Sequence, residues 1–299
     1  MSYASRVARA RARMDELDVD VLLLSVGADL PYLTGYEAMP LERLTMLVLP
    51  RVGDAQLLVP RLEAPRVEPQ PDVFEIVAWD ETDDPVRMVQ TLVGSATRVG
   101  VQDQMWARFA LRLQAALDPA QLVAAGATMS SLRRVKSADE IDRLRAAAAA
   151  ADEAMLAITG QRLSGRTEAE VSRHVRELLI GAGHDDARFS IVASGPNSAS
   201  PHHVSGERTI EPGDAIVLDI GGSRAGYSSD TSRSAFVGEP PAEFVALFAV
   251  LRDAQRAACQ AVRPGVPAAE VDAVARDLIA DAGYDDAFLH RTGHGIGME

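Results

Sequence analysis

The chain has 299 residues, more than a single hydrophobic core usually serves, so two domains are expected. Its 43 acidic residues outnumber the 30 basic ones and leave a formal charge of −13, which argues against nucleic-acid and anionic-membrane partners, since both need a positive surface. Hydrophobic residues at 47% and charged residues at 24% fit a globular protein and exclude a disordered composition.

The opening MSYASRVARARARMDEL has no apolar stretch after its arginines, and no apolar run in the chain reaches the roughly 18–20 residues that span a bilayer. A cytoplasmic location is therefore expected. The same opening reads as an amphipathic helix that runs on through Met14, Leu17, Val21 and Leu24 into a first strand. Residues 19–26, 44–49, 55–59 and 73–78 are short apolar runs bounded by Gly, Pro or Asp, the pattern of buried strands. Helical spacing returns at 84–95 and 105–117, with the strand-like RVGVQ at 98–102 between them. This alternation predicts an α/β domain over residues 1–132.

A second domain, 133–299, opens with SADEIDRLRAAAAAADEAMLAI, where Ser137 and Glu140 have the spacing of a capping box. Within it, GRTEAEVSRHVRELLIGAGHDDA at 165–187 recurs without a gap as GVPAAEVDAVARDLIADAGYDDA at 265–287. Gly165, Glu170, Val171, Arg176, Leu178, Gly183, Asp185 and Asp186 each meet the same residue 100 positions later. Each half also begins with a long helical stretch, at about 137–159 and about 241–262. The repeat predicts a pseudo-twofold domain of two related halves, with a ligand site between them. Cys259 is the single cysteine, which rules out an internal disulfide and a cysteine-built zinc cage; in its alanine-rich helix it is expected as a small buried residue.

Between the copies, AIVLDIGGSRAGYSSDTSRSAF reads as a strand, a glycine turn and a second strand. Asp219 follows the apolar run from Ala215 to Leu218, where an acid is costly unless a cation or partner compensates it. With Asp230 on the neighbouring strand it could form a hard-oxygen site for Mn, Co, Zn or Fe. The alternative is a turn residue and a surface acid, and spacing alone leaves both open. In HRTGHGIGME, His294 stands between Gly293 and Gly295, which let the backbone come close to a ligand, although an ordinary loop histidine would look the same. His202 and His203, in SGPNSASPHHVSGERTIEPGD, occupy a turn-rich stretch and are open to the same two readings. His174 lies within the repeat helix, and His184 is replaced by Tyr284 in the second copy.

Taken in order, SGPNSASPHH, then VLDIGG followed by YSSDTSR, then HRTGHGIG resemble three signatures of the pita-bread metallopeptidases, the family of aminopeptidase P, prolidase, methionine aminopeptidase and creatinase. LRRVKSADEI resembles the start of that domain, and DVDVLLLSVGADLPYLTGY at 18–36 is similar to the creatinase-type N-terminal domain. The resemblance covers nearly the whole chain and fits the Xaa-Pro aminopeptidase and prolidase branch best. It implies an α/β creatinase-like N-terminal domain followed by an α+β pita-bread domain with a pseudo-twofold repeat. It also implies a peptide substrate with proline in second position, two divalent metal ions (Mn, Co, Zn or Fe) and a homodimer. Residue by residue it implies metal ligation by Asp219, Asp230 and His294. His202 would hydrogen-bond the substrate or shuttle a proton, with His203 as the fallback, and His290 would line the pocket. In the family two glutamate ligands follow the GHGIG motif, so a chain ending at Glu299 is expected to be an incomplete copy with little activity. A metal-free creatinase-like amidinohydrolase and a non-catalytic peptide-binding module are the competing readings.

Overall fold

The hydroxyl of Ser2 accepts from the Ser5 N–H at 3.3 Å and starts helix α1, Tyr3–Glu16, in a computed structural model that describes residues 1–299. Val7, Ala10 and Met14 recur at helical spacing and are buried on one side of α1. The chain continues through β1 (Val21–Leu24), α2 (Asp29–Thr34), β2 (Met46–Pro50), β3 (Gln56–Pro60), β4 (Glu75–Trp79), α3 (Pro85–Val93), β5 (Arg98–Val101), α4 (Ala107–Ala116), β6 (Gln121–Ala124) and α5 (Gly126–Arg134). The six strands form one sheet in the order β4-β3-β2-β1-β5-β6. Pairing is antiparallel between β1 and β2 and between β2 and β3, and parallel elsewhere.

Because side chains alternate along a strand, β1 feeds two cores. Leu22 and Leu24 pack with Met14, Leu47, Leu49 and Leu57 on one face, while Val21 and Leu23 pack with Met46, Leu58, Val89 and Leu113 on the other. Burial on both faces explains why these strands read as unbroken apolar runs. The chain divides into two compact units, Met1–Ile141 and Asp142–Gly297.

Helix α6 (Ala138–Thr159) begins at the expected capping box: the Ser137 N–H donates to Glu140 Oε2 at 2.8 Å and the Glu140 N–H to Ser137 Oγ at 3.4 Å. It is followed by α7 (Glu168–Gly181), β7 (Asp186–Ser194), β8 (Ala215–Arg224), β9 (Tyr227–Ser228) and β10 (Thr231–Phe236). Strand β8 is central, antiparallel to β7 on one side and to β10 on the other. Ala151, Ala154, Met155 and Ile158 of α6 and Val171, Val175 and Leu179 of α7 bury against Val192, Ile216, Leu218 and Ile220 of this sheet. Helices α8 (Ala242–Ala261) and α9 (Ala268–Asp281) then pair through a small core of Ala254, Ala258, Ala275 and Ile279.

Cys259 corrects one expectation: it is exposed, because Ala254 and Ala258, four apart, take the inward face of α8 and turn the next position outward. No helix is long and apolar enough to cross a membrane.

Candidate active site

Strand β8 sets the first carboxylate by alternation. Leu218 and Ile220 are fully buried in the core, so Asp219 between them points to the opposite face, where it is half-buried. In register it pairs with Ile191 of β7 and Ser232 of β10. The Ser232 hydroxyl donates to Asp219 Oδ1 at 2.7 Å. The turn after β8 falls at Ala225 and Gly226, both at positive φ, while Gly221 and Gly222 lie inside the strand. A Cβ at Gly222 would stand 2.5 Å from the Asp186 carbonyl and 2.7 Å from the His184 ring, so only glycine lets the histidine approach this closely.

That histidine links the end of α7 to the second carboxylate. His184 is buried; its Nδ1–H donates to the Leu179 carbonyl at 3.1 Å, which leaves Nε2 to accept from the Ser229 hydroxyl at 2.8 Å. Ser229 in turn accepts from the Gly222 N–H at 3.1 Å. Burial pushes the His184 imidazole below its ordinary value and keeps it neutral, as the bond from Ser229 requires. Asp230 follows Ser229 directly and opens to solvent at the start of β10.

The Ser228 N–H donates to the Gly297 carbonyl at 2.7 Å and ties the GHGIG stretch to β9. His294 lies beside Asp230, with Nε2 3.3 Å from Asp230 Oδ2. Its Nδ1 is 2.9 Å from the Gly295 carbonyl, which can only accept, so Nδ1 carries a proton and Nε2 is the atom turned to the carboxylate oxygen. Burial pushes the Asp219 carboxyl up, against the lowering effect of the Ser232 hydroxyl; Asp230 adds to the rise, and His202 and His294 oppose it. Asp219, Asp230, His202 and His294 thus share one electrostatic neighbourhood. No three His, Cys, Asp or Glu side chains close into a metal cage. Instead the arrangement is an open set of two carboxylates and an imidazole, whose oxygen and nitrogen atoms are of the kind that can hold a divalent cation.

His202 is exposed and makes no hydrogen bond to the protein, whereas His203 is held by Glu168 at 2.7 Å. His290 makes its contacts with Phe288, Arg291 and Arg276. Its Nδ1–H donates to the Arg291 carbonyl at 2.8 Å, its ring meets Phe288 edge-on at 5.3 Å, and its carbonyl accepts from Arg276 at 2.9 Å. Asp272 braces the same stretch by accepting from the Thr292 N–H at 2.7 Å and hydroxyl at 2.8 Å. The Arg276 guanidinium, with those two donors, holds the Asp272 carboxyl down to about 2. Glu168, His184, Asp272 and Arg276 were not singled out by motif. The signal open to sequence reading was that Glu168, Ser172 and His184 change to Ala268, Asp272 and Tyr284 between the two copies.

A six-stranded N-terminal sheet, a repeat-built second unit and this carboxylate–imidazole cluster define a pita-bread metallopeptidase with a creatinase-type N-terminal domain. The chain belongs to metallopeptidase family M24, whose profile matches residues 142–299, and the creatinase/prolidase N-terminal domain matches residues 6–135. Among its relatives, the "Probable dipeptidase PepE" of Mycobacterium tuberculosis is 40% identical over 301 residues, 99% of this chain and 80% of that protein. The crystal structure of dipeptidase PepE from Mycobacterium ulcerans is similar at a TM-score of 0.93 and 41% identity, over 99% of this chain and 81% of that one. A recombinant prolidase from Thermococcus sibiricus is similar at a TM-score of 0.94 and 32% identity, over 100% and 83%. The fold class read from the sequence is the one found, and the family is one of peptide-hydrolysing enzymes that use divalent metal.

Proposed function

We propose that the protein is a metal-dependent exopeptidase cleaving the bond between an N-terminal residue and proline. In this reading Asp219, Asp230 and His294 hold metal, His202 meets the scissile carbonyl and His290 lines the pocket. The observation that carries it is the 3.3 Å approach of His294 Nε2 to Asp230 Oδ2, a nitrogen and an oxygen that a cation or a proton can bridge. The prolidase among the similar structures supports a substrate with proline in second position.

Bound divalent metal, two ions in the family's full site, would supply a Lewis acid that polarises the carbonyl and acidifies water. The protein's own groups prepare the rest. Ser232 holds one oxygen of Asp219 and leaves the other without a hydrogen bond. His184, through Ser229, fixes the backbone from which Asp230 projects. His202 is free to donate to the carbonyl oxygen of a bound peptide and to carry a proton to the departing proline nitrogen.

Titration of the chain with Mn2+, followed by electron paramagnetic resonance, tests the ligands. Binding is expected in the native chain and lost in Asp230→Ala; unchanged binding in the variant would overturn the assignment. Any hydrolysis of an Xaa-Pro dipeptide should stop in chelator and return with Mn2+, and cleavage that persists in chelator would remove the metal from the reaction.

A further inference from the structure

Helix α7 starts with a carboxylate that the repeat does not need. Glu168 is 0% exposed, whereas its counterpart Ala268 is exposed at the start of α9, so an acid here is no requirement of the shared helix. A buried carboxylate is costly unless donors surround it. On Oε1 it accepts from the Ser194 N–H and hydroxyl, each at 2.8 Å, and from Asn197 Nδ2 at 3.0 Å. On Oε2 it accepts from His203 Nε2 at 2.7 Å, Asn197 Nδ2 at 3.2 Å and the Gly206 N–H at 3.3 Å.

The anchor is itself braced. Arg208 donates to Ser194 Oγ at 2.7 Å and clamps Asp214 at 2.6 and 2.9 Å. Gly195, at φ +52°, lets the chain pass this clamp, since a Cβ there would lie 2.5 Å from both the Arg208 guanidinium and the Asp214 carboxylate. Every donor to Glu168 therefore comes from residues 194–206, the stretch that carries both loop histidines. The two end differently: His203 has its Nε2 on Glu168 and a side chain only 19% exposed, while His202 is exposed and makes no hydrogen bond to the protein.

We propose that Glu168 is the positioning residue of this loop: by binding His203 it makes that histidine a strut and presents its neighbour His202 to the Asp219–Asp230–His294 cluster. The proposal rests on the function proposed above, and it divides the roles of two adjacent histidines that the sequence leaves interchangeable. An acid that merely filled the core would stabilise the fold without setting the two histidines apart.

Site-resolved carbethoxylation of the full chain by diethyl pyrocarbonate at neutral pH, read by mass spectrometry, separates these cases. His202 is expected to react faster than His203 by about tenfold or more, the effect of one hydrogen bond to a charged acceptor. Glu168→Ala should bring His203 up to the rate of His202, and the isosteric Glu168→Gln should fall between, with the amides of α7 still protected as in a folded helix. Should the alanine variant fail to fold, the glutamine variant carries the comparison. In histidine-labelled protein both variants should also move the His202 ring resonances. Equal reactivity of the two histidines in the native chain, continued protection of His203 in a folded variant, or an unmoved His202 signal would each overturn the proposal. Neither readout uses metal or peptide, so its failure is distinct from failure of the Mn2+ titration.

Discussion

The two copies of the repeat place one helix design in two settings. In the first copy, Val171, Val175 and Leu179 of α7 are fully buried against a sheet, and the chain leaves the helix into strand β7. In the second, α9 contributes Ala275 and Ile279 to a four-residue core, and the chain leaves it into a single 3-10 turn, Asp285–Ala287. What the copies share fixes the helix-to-loop geometry. Arg176 donates to the Ala187 carbonyl at 2.7 Å, and Arg276 does the same one residue further on, to Phe288 at 2.9 Å. What they do not share equips each half of the site: Glu168 and His184 brace the His202 loop and Asp230, while Asp272 braces the His290–His294 stretch. Repetition supplies the frame and divergence supplies the bracing of the candidate site.

The sharpest way to break this comparison is to cut the same apolar position from each helix. Leu179→Ala removes a fully buried side chain from a core closed by α6, α7 and the sheet, and should cost about 2–5 kcal/mol. Ile279→Ala, in the small core where the surroundings can collapse, should cost roughly 1 kcal/mol. Urea unfolding of the two variants measures the difference. Equal costs would mean that α9 is held as firmly as α7 and that the contrast in packing carries no energetic weight.

Acid provides a second test, because each copy holds one carboxyl down to about 2, Glu168 in the first and Asp272 in the second. For Glu168 burial raises the value, but His203, Ser194 and Asn197 together outweigh it and stabilise the charged form. Both folded values lie below the unfolded ones, so each contribution is complete above the ordinary value, 4.5 for Glu168 and 3.8 for Asp272, and is lost as pH falls toward 2. A depression of this size at buried Glu168 amounts to about 3 kcal/mol. Asp272 is only part-buried, beside a more exposed Arg276, a pair of the kind that contributes little. Glu168→Gln should therefore flatten the loss of stability between about pH 5 and about pH 2.5 much more than Asp272→Asn does, as urea midpoints at each pH would show. The opposite order would place the acid-sensitive anchor in the second copy.

How legible these features are in the sequence depends on how local their causes are. The apolar runs at 44–49 and 55–59 became β2 and β3 because strands buried on both faces announce themselves without partners. The edge strand β6, only Gln121–Ala124 and half-exposed, and helix α5 gave no such pattern and were not anticipated. In the site, Asp219, Asp230, His202 and His294 were named through family motifs, since spacing alone left each with a plainer reading. Glu168 was hidden for a physical reason: TEAE reads as a helix start, and the donors that make its first carboxylate an anchor lie 26–38 residues away. Asp272 was hidden likewise, its partner Thr292 being 20 residues distant. Cys259 was misread because an alanine-rich helix offers too little contrast to tell its inner face from its outer one.

The smallest expected effect concerns how the two helices begin. Thr167 forms a complete capping box: its hydroxyl accepts from the Glu170 N–H at 3.1 Å, and Glu170 Oε2 accepts from the Thr167 N–H at 2.9 Å. The second copy keeps Glu270 but has Pro267 at the cap, with no side-chain bond to the helix. The Thr167 hydroxyl therefore satisfies a donor in α7 that no side chain satisfies in α9, and Pro267 offers Glu270 no N–H to accept. Thr167→Ala should cost about 1 kcal/mol and speed amide exchange in the first turn of α7. Pro267→Ala removes no hydrogen bond and should change stability by only a few tenths of a kcal/mol, through the freedom the unfolded chain regains. Installing the missing cap by Pro267→Thr should then slow exchange at the start of α9, because Glu270 already stands three residues on, ready to close the box. If exchange there stays fast, the contrast between the two helix starts owes nothing to the cap and must come from the sheet against which α7 is packed.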